Sequence, residues 1–182
     1  YDTVTEVMWV TGAALFIRLA DYREVGGLDD HFFAHMEEID LCWRLRSRGK
    51  KLVCIPQSVV YHVGGATLKK ENPRKTFLNF RNNLLMLYKN LPDKELEHVL
   101  FIRGILDRVA ALVFYLKKDR ANARAVMQAR REFEDIRYSF AASRIENIMK
   151  STDEMIPERT HFSILMKYYL LGKKHFSQLK LF

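Results

Sequence analysis

Three carboxylates crowd into four residues at Glu37-Glu38-Ile39-Asp40, inside the run Phe32-Phe33-Ala34-His35-Met36-Glu37-Glu38-Ile39-Asp40-Leu41-Cys42-Trp43-Arg44. Carboxylates can take a proton from a hydroxyl, hold a divalent cation or bind sugar hydroxyls. The spacing predicts a helix from residue 37 to 48, closed by Gly49. At about 100° per residue, Ile39, Leu41, Cys42, Trp43 and Leu45 form an apolar arc, and Glu38 falls inside it. Glu37, Asp40, Arg44 and Ser47 fall on the polar side. An unpaired charge within a buried arc is costly, and its presence there suggests a cleft carboxylate with work to do. The ordinary structural reading is that Glu37 and Glu38 favour the positive end of the helix dipole.

Other residues with chemical potential are sparser. Thr11-Gly12-Ala13 precedes an apolar run, and Gly12 would let the backbone approach a ligand closely. His62 sits beside Gly64-Gly65; a lone His is more often structural than a metal ligand. Arg81-Asn82-Asn83 reads as the solvated face of a long helix. Cys42 and Cys54 form no Cys-x-x-Cys or Cys/His cluster, so they read as buried thiols of a reducing compartment, not zinc ligands. No P-loop, Gly-x-Gly-x-x-Gly or Gly-x-Ser-x-Gly is present.

These residues need elements to position them. The first 70 or so residues read as mixed α/β. Strands are expected at 13–18, 51–55 and 58–63, with a short helix at 19–25 stopped by Gly26-Gly27. From Pro73 onward the pattern is helical, with long helices over 74–90, 94–117 and 120–139 and shorter ones beyond. The composition shift near 67–73 divides the chain into 1–72 and 73–182. The fold class is therefore α/β followed by a mostly α-helical extension.

The chain has 182 residues, 48% of them hydrophobic, twelve of them Phe, and a net charge of +8. That supports a real core and suits an anionic partner. Nucleic acid is not expected, because no recognition motif is present and the aromatics read as core. No apolar run is long enough to cross a membrane, and no signal peptide is visible. The stretch from Arg159 to the end has no acidic residue and interleaves Lys with aromatics, as a segment resting on an anionic membrane surface would. The chain opens at Tyr1-Asp2 without a Met, so it reads as a piece of a longer protein.

In their order these segments resemble family 2 glycosyltransferases of the rhamnosyltransferase-like kind. The match runs through Thr11-Gly12-Ala13, Phe16-Ile17-Arg18, Val25-Gly26-Gly27-Leu28-Asp29-Asp30-His31-Phe32-Phe33, Glu37-Glu38-Ile39-Asp40-Leu41-Cys42-Trp43-Arg44, Gly49, Pro56 and His62 with Gly64-Gly65. It covers about the first 90 residues. The resemblance implies the C-terminal part of a GT-A core and an inverting transfer from a nucleoside-diphosphate sugar to an acceptor hydroxyl. Surface polysaccharide is the expected product, and the acceptor is a saccharide or lipid-linked. The family's base falls on Glu38, a Glu where the family usually has Asp. Glu37 or Asp40 would orient it or contact the acceptor, and Gly12 and Arg44 join them as acceptor-binding or orienting positions. His62 matches a His of the metal shell, for Mn²⁺ or Mg²⁺.

The family's donor-binding half and its Asp-x-Asp motif are not in this chain. The chain alone is therefore expected to hold no metal, to be inactive and to self-associate through the strands at 13–18 and 58–63. The expected location is cytoplasmic, peripheral to the inner face of the membrane. The rival expectation is a non-catalytic helical module for interaction or membrane docking.

Overall fold

A computed structural model describes residues 2–63, 72–152, 156, 159, 164–169, 171–175 and 178. Asn72 accepts from the Arg74 N–H at 2.9 Å and Pro73 fills the first position, a strong helix start. Helix α3 (Pro73–Asn90) follows, and Leu91-Pro92 ends it in extended backbone. Helix α4 (Asp93–Leu116) opens with Asp93 and Glu95 in its first turn, which suits the helix dipole. Lys118 turns the chain with a φ of 63°, and Asp119 caps helix α5 (Arg120–Ile136). The helix expected through residue 139 breaks at Ile136 into a 3₁₀ turn (Arg137–Phe140), followed by helix α6 (Ala141–Met149).

The preceding segment is smaller. Helix α1 (Leu19–Glu24) and helix α2 (Glu37–Ser47) stand where the sequence puts them. The sheet has two strands, β1 (Thr5–Glu6) and β2 (Val53–Cys54), antiparallel with Thr5 opposite Cys54 and Glu6 opposite Val53. The strands expected at 13–18 and 58–63 do not form. Residues 12–14 make a 3₁₀ turn, and both stretches then run without a ladder partner among the described residues. Alternation over 58–63 marks two faces, and 13–18 is an apolar run, but a strand needs a neighbour to satisfy its backbone. Phe16 and Tyr61 accordingly stand 95% and 96% exposed. Among the described residues the chain is thus mostly helical.

Two apolar clusters share one wall. Leu41, Cys42 and Leu45 of α2 pack with Val7, Val25 and Leu52. Trp43 and Phe32 join Leu84, Leu85, Tyr88, Leu100 and Phe133 of α3, α4 and α5 in the larger cluster. The larger core therefore takes residues from both sides of the boundary expected near residue 72.

Candidate functional site

The backbone leading into α2 is unusual. Asp29 accepts from the His31 N–H at 3.0 Å and starts a 3₁₀ turn (Asp30–Phe32). Phe33, His35 and Met36 then take φ values of 60°, 71° and 75°. Positive φ in three non-glycine residues out of four stores about 1 kcal/mol or more at each and persists only where the surroundings enforce it.

The enforcing residue is Asn82, fully buried on α3. Its Nδ2 donates to the carbonyls of Phe32, Ala34 and His35 at 2.8, 2.9 and 2.8 Å. Arg81 donates to the His31 carbonyl at 2.9 Å and pairs with Glu132 at 2.7 Å. Arg74 lies over the Phe33 ring at 4.9 Å. The solvated face expected at residues 81–83 is instead the clamp on this loop.

Glu37 and Glu38 follow at once, in the first turn of α2. Glu38 is half-buried, and its Oε2 is buried with no hydrogen-bond partner among the described residues. Glu37 Oε2 and His35 Nε2 share that condition. Burial pushes the Glu38 carboxyl above its usual range, and the charge of Glu37 adds to this; its own backbone N–H and His35 pull it back in part. Gly12 lies beside it: a methyl added there would meet Glu38 Cβ at 3.8 Å, an ordinary contact. The arrangement offers a carboxylate with a raised proton affinity and a free oxygen, as a general base requires.

Asp40 and Arg44 turn elsewhere. Asp40 is fully buried and receives Arg44 Nε at 2.9 Å, Lys89 Nζ at 3.0 Å and Asn90 Nδ2 at 2.7 Å. Arg44 also donates to the carbonyls of Val25 and Gly27, the latter at 2.7 Å. Lys89 reaches on to Asp29 at 2.7 Å. Burial raises the Asp29 carboxyl, but the Lys89 hydrogen bond and charge outweigh it and lower the pKa to about 2. The polar side of α2 therefore faces α3 and the Val25–Gly27 turn through charge-assisted bonds. A cleft of about 460 Å³ opens beside this network, lined by Gly26, Asp29, His31, Ser143 and Glu146, without Glu38.

His62 is exposed on the irregular stretch at 58–63, and Gly64-Gly65 lie outside the described residues. Among the described residues no group of three His, Cys, Asp or Glu could hold a metal. His62 alone does not make a cation site. Of the tail, helix α7 (Ile164–Tyr169) is described, and most of the remainder lies outside the described residues.

Sequence reasoning put Asn82 on a solvated face and missed Lys89 and Asn90. A signal existed: the three share one helical face, at i, i+7 and i+8, amid Leu84, Leu85 and Met86.

Known proteins share this sequence pattern. The chain is 31% identical over 141 residues to the pre-mycofactocin glycosyltransferase of Mycobacterium tuberculosis, covering 71% of this chain and 29% of that protein. It is 38% identical over 56 residues to the N-acetylglucosaminyl-diphospho-decaprenol L-rhamnosyltransferase of the same organism, covering 31% of this chain and 18% of that one. The rhamnosyltransferase WbbL of Escherichia coli is 36% identical over 61 residues, 34% of this chain and 22% of its own length. The chain thus spans less than a third of these relatives. The first match is too long to stop at residue 90, so the similarity includes part of the helical segment. No family model matches, and no solved structure matches.

Proposed function

Since this chain is related in sequence to part of several glycosyltransferases, we propose that it carries the acceptor-side base of an inverting sugar transfer, and that Glu38 is that base. The observation that carries the reading is half-buried Glu38, whose buried Oε2 has no hydrogen-bond partner among the described residues, at the end of a strained loop clamped by Asn82. In the step, the acceptor hydroxyl gives its proton to the Glu38 carboxylate. Its oxygen bonds to the anomeric carbon, and the carbon–oxygen bond to the nucleoside diphosphate breaks on the opposite face. Burial raises the proton affinity of this carboxylate, which favours its taking the proton and becoming the neutral acid in the step.

The other residues divide by position. Glu37 shares the first turn of α2 with a buried free oxygen, which suits contact with the acceptor. Gly12 leaves room beside Glu38. Asp40 and Arg44 act as positioning residues, fixing α2 against α3 and the Val25–Gly27 turn. Nucleotide-sugar donor and saccharide or lipid-linked acceptor are the partners of this reading, with surface polysaccharide as its product. A divalent cation would hold the departing diphosphate, and His62 would contribute to it only with oxygen ligands from beyond the described residues.

The test is transfer from a panel of nucleoside-diphosphate sugars by the native protein, wild type against Glu38→Gln and Glu38→Asp. Glu38→Gln should lower turnover by about 10² or more while leaving donor binding intact. Glu38→Asp should recover part of the loss. Near-normal turnover in Glu38→Gln removes Glu38 from this role.

A further inference from the structure

The longest helix turns an apolar stripe away from the protein. On α4, Phe101, Ile102, Ile105, Val109, Leu112 and Leu116 are all exposed. At about 100° per residue they fill an arc of about 100° and a length of about 22 Å. The opposite face, with Leu96, Leu100, Gly104 and Ala111, is buried. So large an unbroken apolar surface on a folded chain marks a contact site.

Charge selects the occupant. From His98 to Lys118 no exposed residue is acidic; exposed Glu97 precedes that span on the Arg108 side, and half-buried Asp119, the cap of α5, follows it. The one acid of that span, Asp107, is buried between Arg103 at 2.8 Å and Arg130 at 2.9 Å. The exposed charges are Arg108, at one margin of the arc, and Lys117 and Lys118 at its end, continued by Arg120 and Arg124 on α5. A second copy fits poorly. An antiparallel pairing about Val109 brings Arg108 against its counterpart, and a parallel one stacks Lys117 and Lys118 on theirs, a costly juxtaposition of like charge. An apolar arc with cations at its margins matches the boundary between anionic headgroups and acyl chains, where long basic side chains reach outward to the phosphates. Among the described residues no helix is long and apolar enough to cross a membrane, so α4 can only lie along one.

We infer that α4 rests lengthwise in the headgroup boundary of an anionic bilayer, burying Ile105, Val109 and Leu112. This stands apart from the sugar-transfer reading and from the basic tail.

The experiment is co-sedimentation of the chain with vesicles of phosphatidylcholine alone and of phosphatidylcholine with phosphatidylglycerol. The wild type should pellet with the anionic vesicles and stay in solution with the neutral ones. Ile105→Asp/Leu112→Asp should weaken that binding about tenfold or more. Both positions are exposed, so circular dichroism should show an unchanged fold. Arg108→Glu/Lys117→Glu should weaken it too, with less dependence on salt. Undiminished binding in the Asp variant assigns the contact to another segment and overturns the inference. Equal binding to both vesicle types overturns it as well. So does a dimer in sedimentation velocity that the Asp variant dissolves.

Discussion

Replacing Asn82 should unlock the loop that carries the candidate base. In Asn82→Ala one buried carbonyl, of Phe32, and two partly buried ones, of Ala34 and His35, lose their donor at once. The amide has two hydrogens for these three acceptors, so about two hydrogen bonds are lost in net terms. Each acceptor left dry costs about 1–3 kcal/mol. If the loop relaxes, the strain at Phe33, His35 and Met36 is released and offsets about 1 kcal/mol per residue. The loss is about 2–6 kcal/mol if the loop keeps its shape and up to about 3 kcal/mol if it relaxes. Asn82→Asp should be at least as damaging, because a carboxylate would face the carbonyl oxygens. Arg81 Nε, now 2.9 Å from Asn82 Oδ1, would compensate only part of that. Urea denaturation followed by circular dichroism gives the stability, and amide exchange at residues 33–38 reports on the loop. An Asn82→Ala variant within about 0.5 kcal/mol of wild type, with unchanged exchange at those amides, would refute the clamp.

Three further expectations follow from other parts of the structure. Asp29 is depressed from 3.8 to about 2, so it stabilises the fold above pH 4, and that contribution fades as pH falls from about 4 to 2. After discounting for solvent screening it amounts to about 1–2 kcal/mol, and an acid titration of Asp29→Asn should lack this component. Gly27→Ala should destabilise by about 1–3 kcal/mol, since φ is 69° and a new Cβ would lie 2.9 Å from the Tyr22 ring. Gly26→Ala, with φ 82° but open space, should cost less, and thermal melts of the two variants test the order. The chain by itself should bind nucleoside diphosphates weakly or not at all. It spans less than a third of its relatives and contains no Asp-x-Asp; micromolar binding by calorimetry would contradict this.

The helices were legible because caps and periodicity are local. Asn72-Pro73, Leu91-Pro92 and Asp119 mark boundaries that the structure keeps within a residue or two. Strands were not, because pairing is not local: residues 13–18 form an apolar run and 58–63 alternate, yet neither finds a neighbour among the described residues. Within the site, the wheel put Glu38 among apolar residues, and it is half-buried with a free oxygen. The same wheel assigned Asp40 and Arg44 a polar side without showing that α3 covers it. Burial of polar groups depends on partners fifty residues away, such as Lys89 and Asn90, and helical spacing alone does not name them. The backbone of residues 33–36 was equally hidden, since no glycine announces its positive φ.

The shared wall formed by α2 has a consequence for how the protein opens. Cys42 faces one cluster and its neighbour Trp43 the other, so neither cluster can melt without stripping a side of the same helix. The two stretches of sequence are expected to open together, with α2 amides exchanging only through that joint opening. A packing defect as far off as Phe133 is then transmitted to the first turn of α2, because both belong to the larger cluster's frame. Phe133→Ala is then expected to loosen the amides of residues 37–40 together with those of α5, so the placement of Glu38 and the firmness of the helical segment change as one quantity.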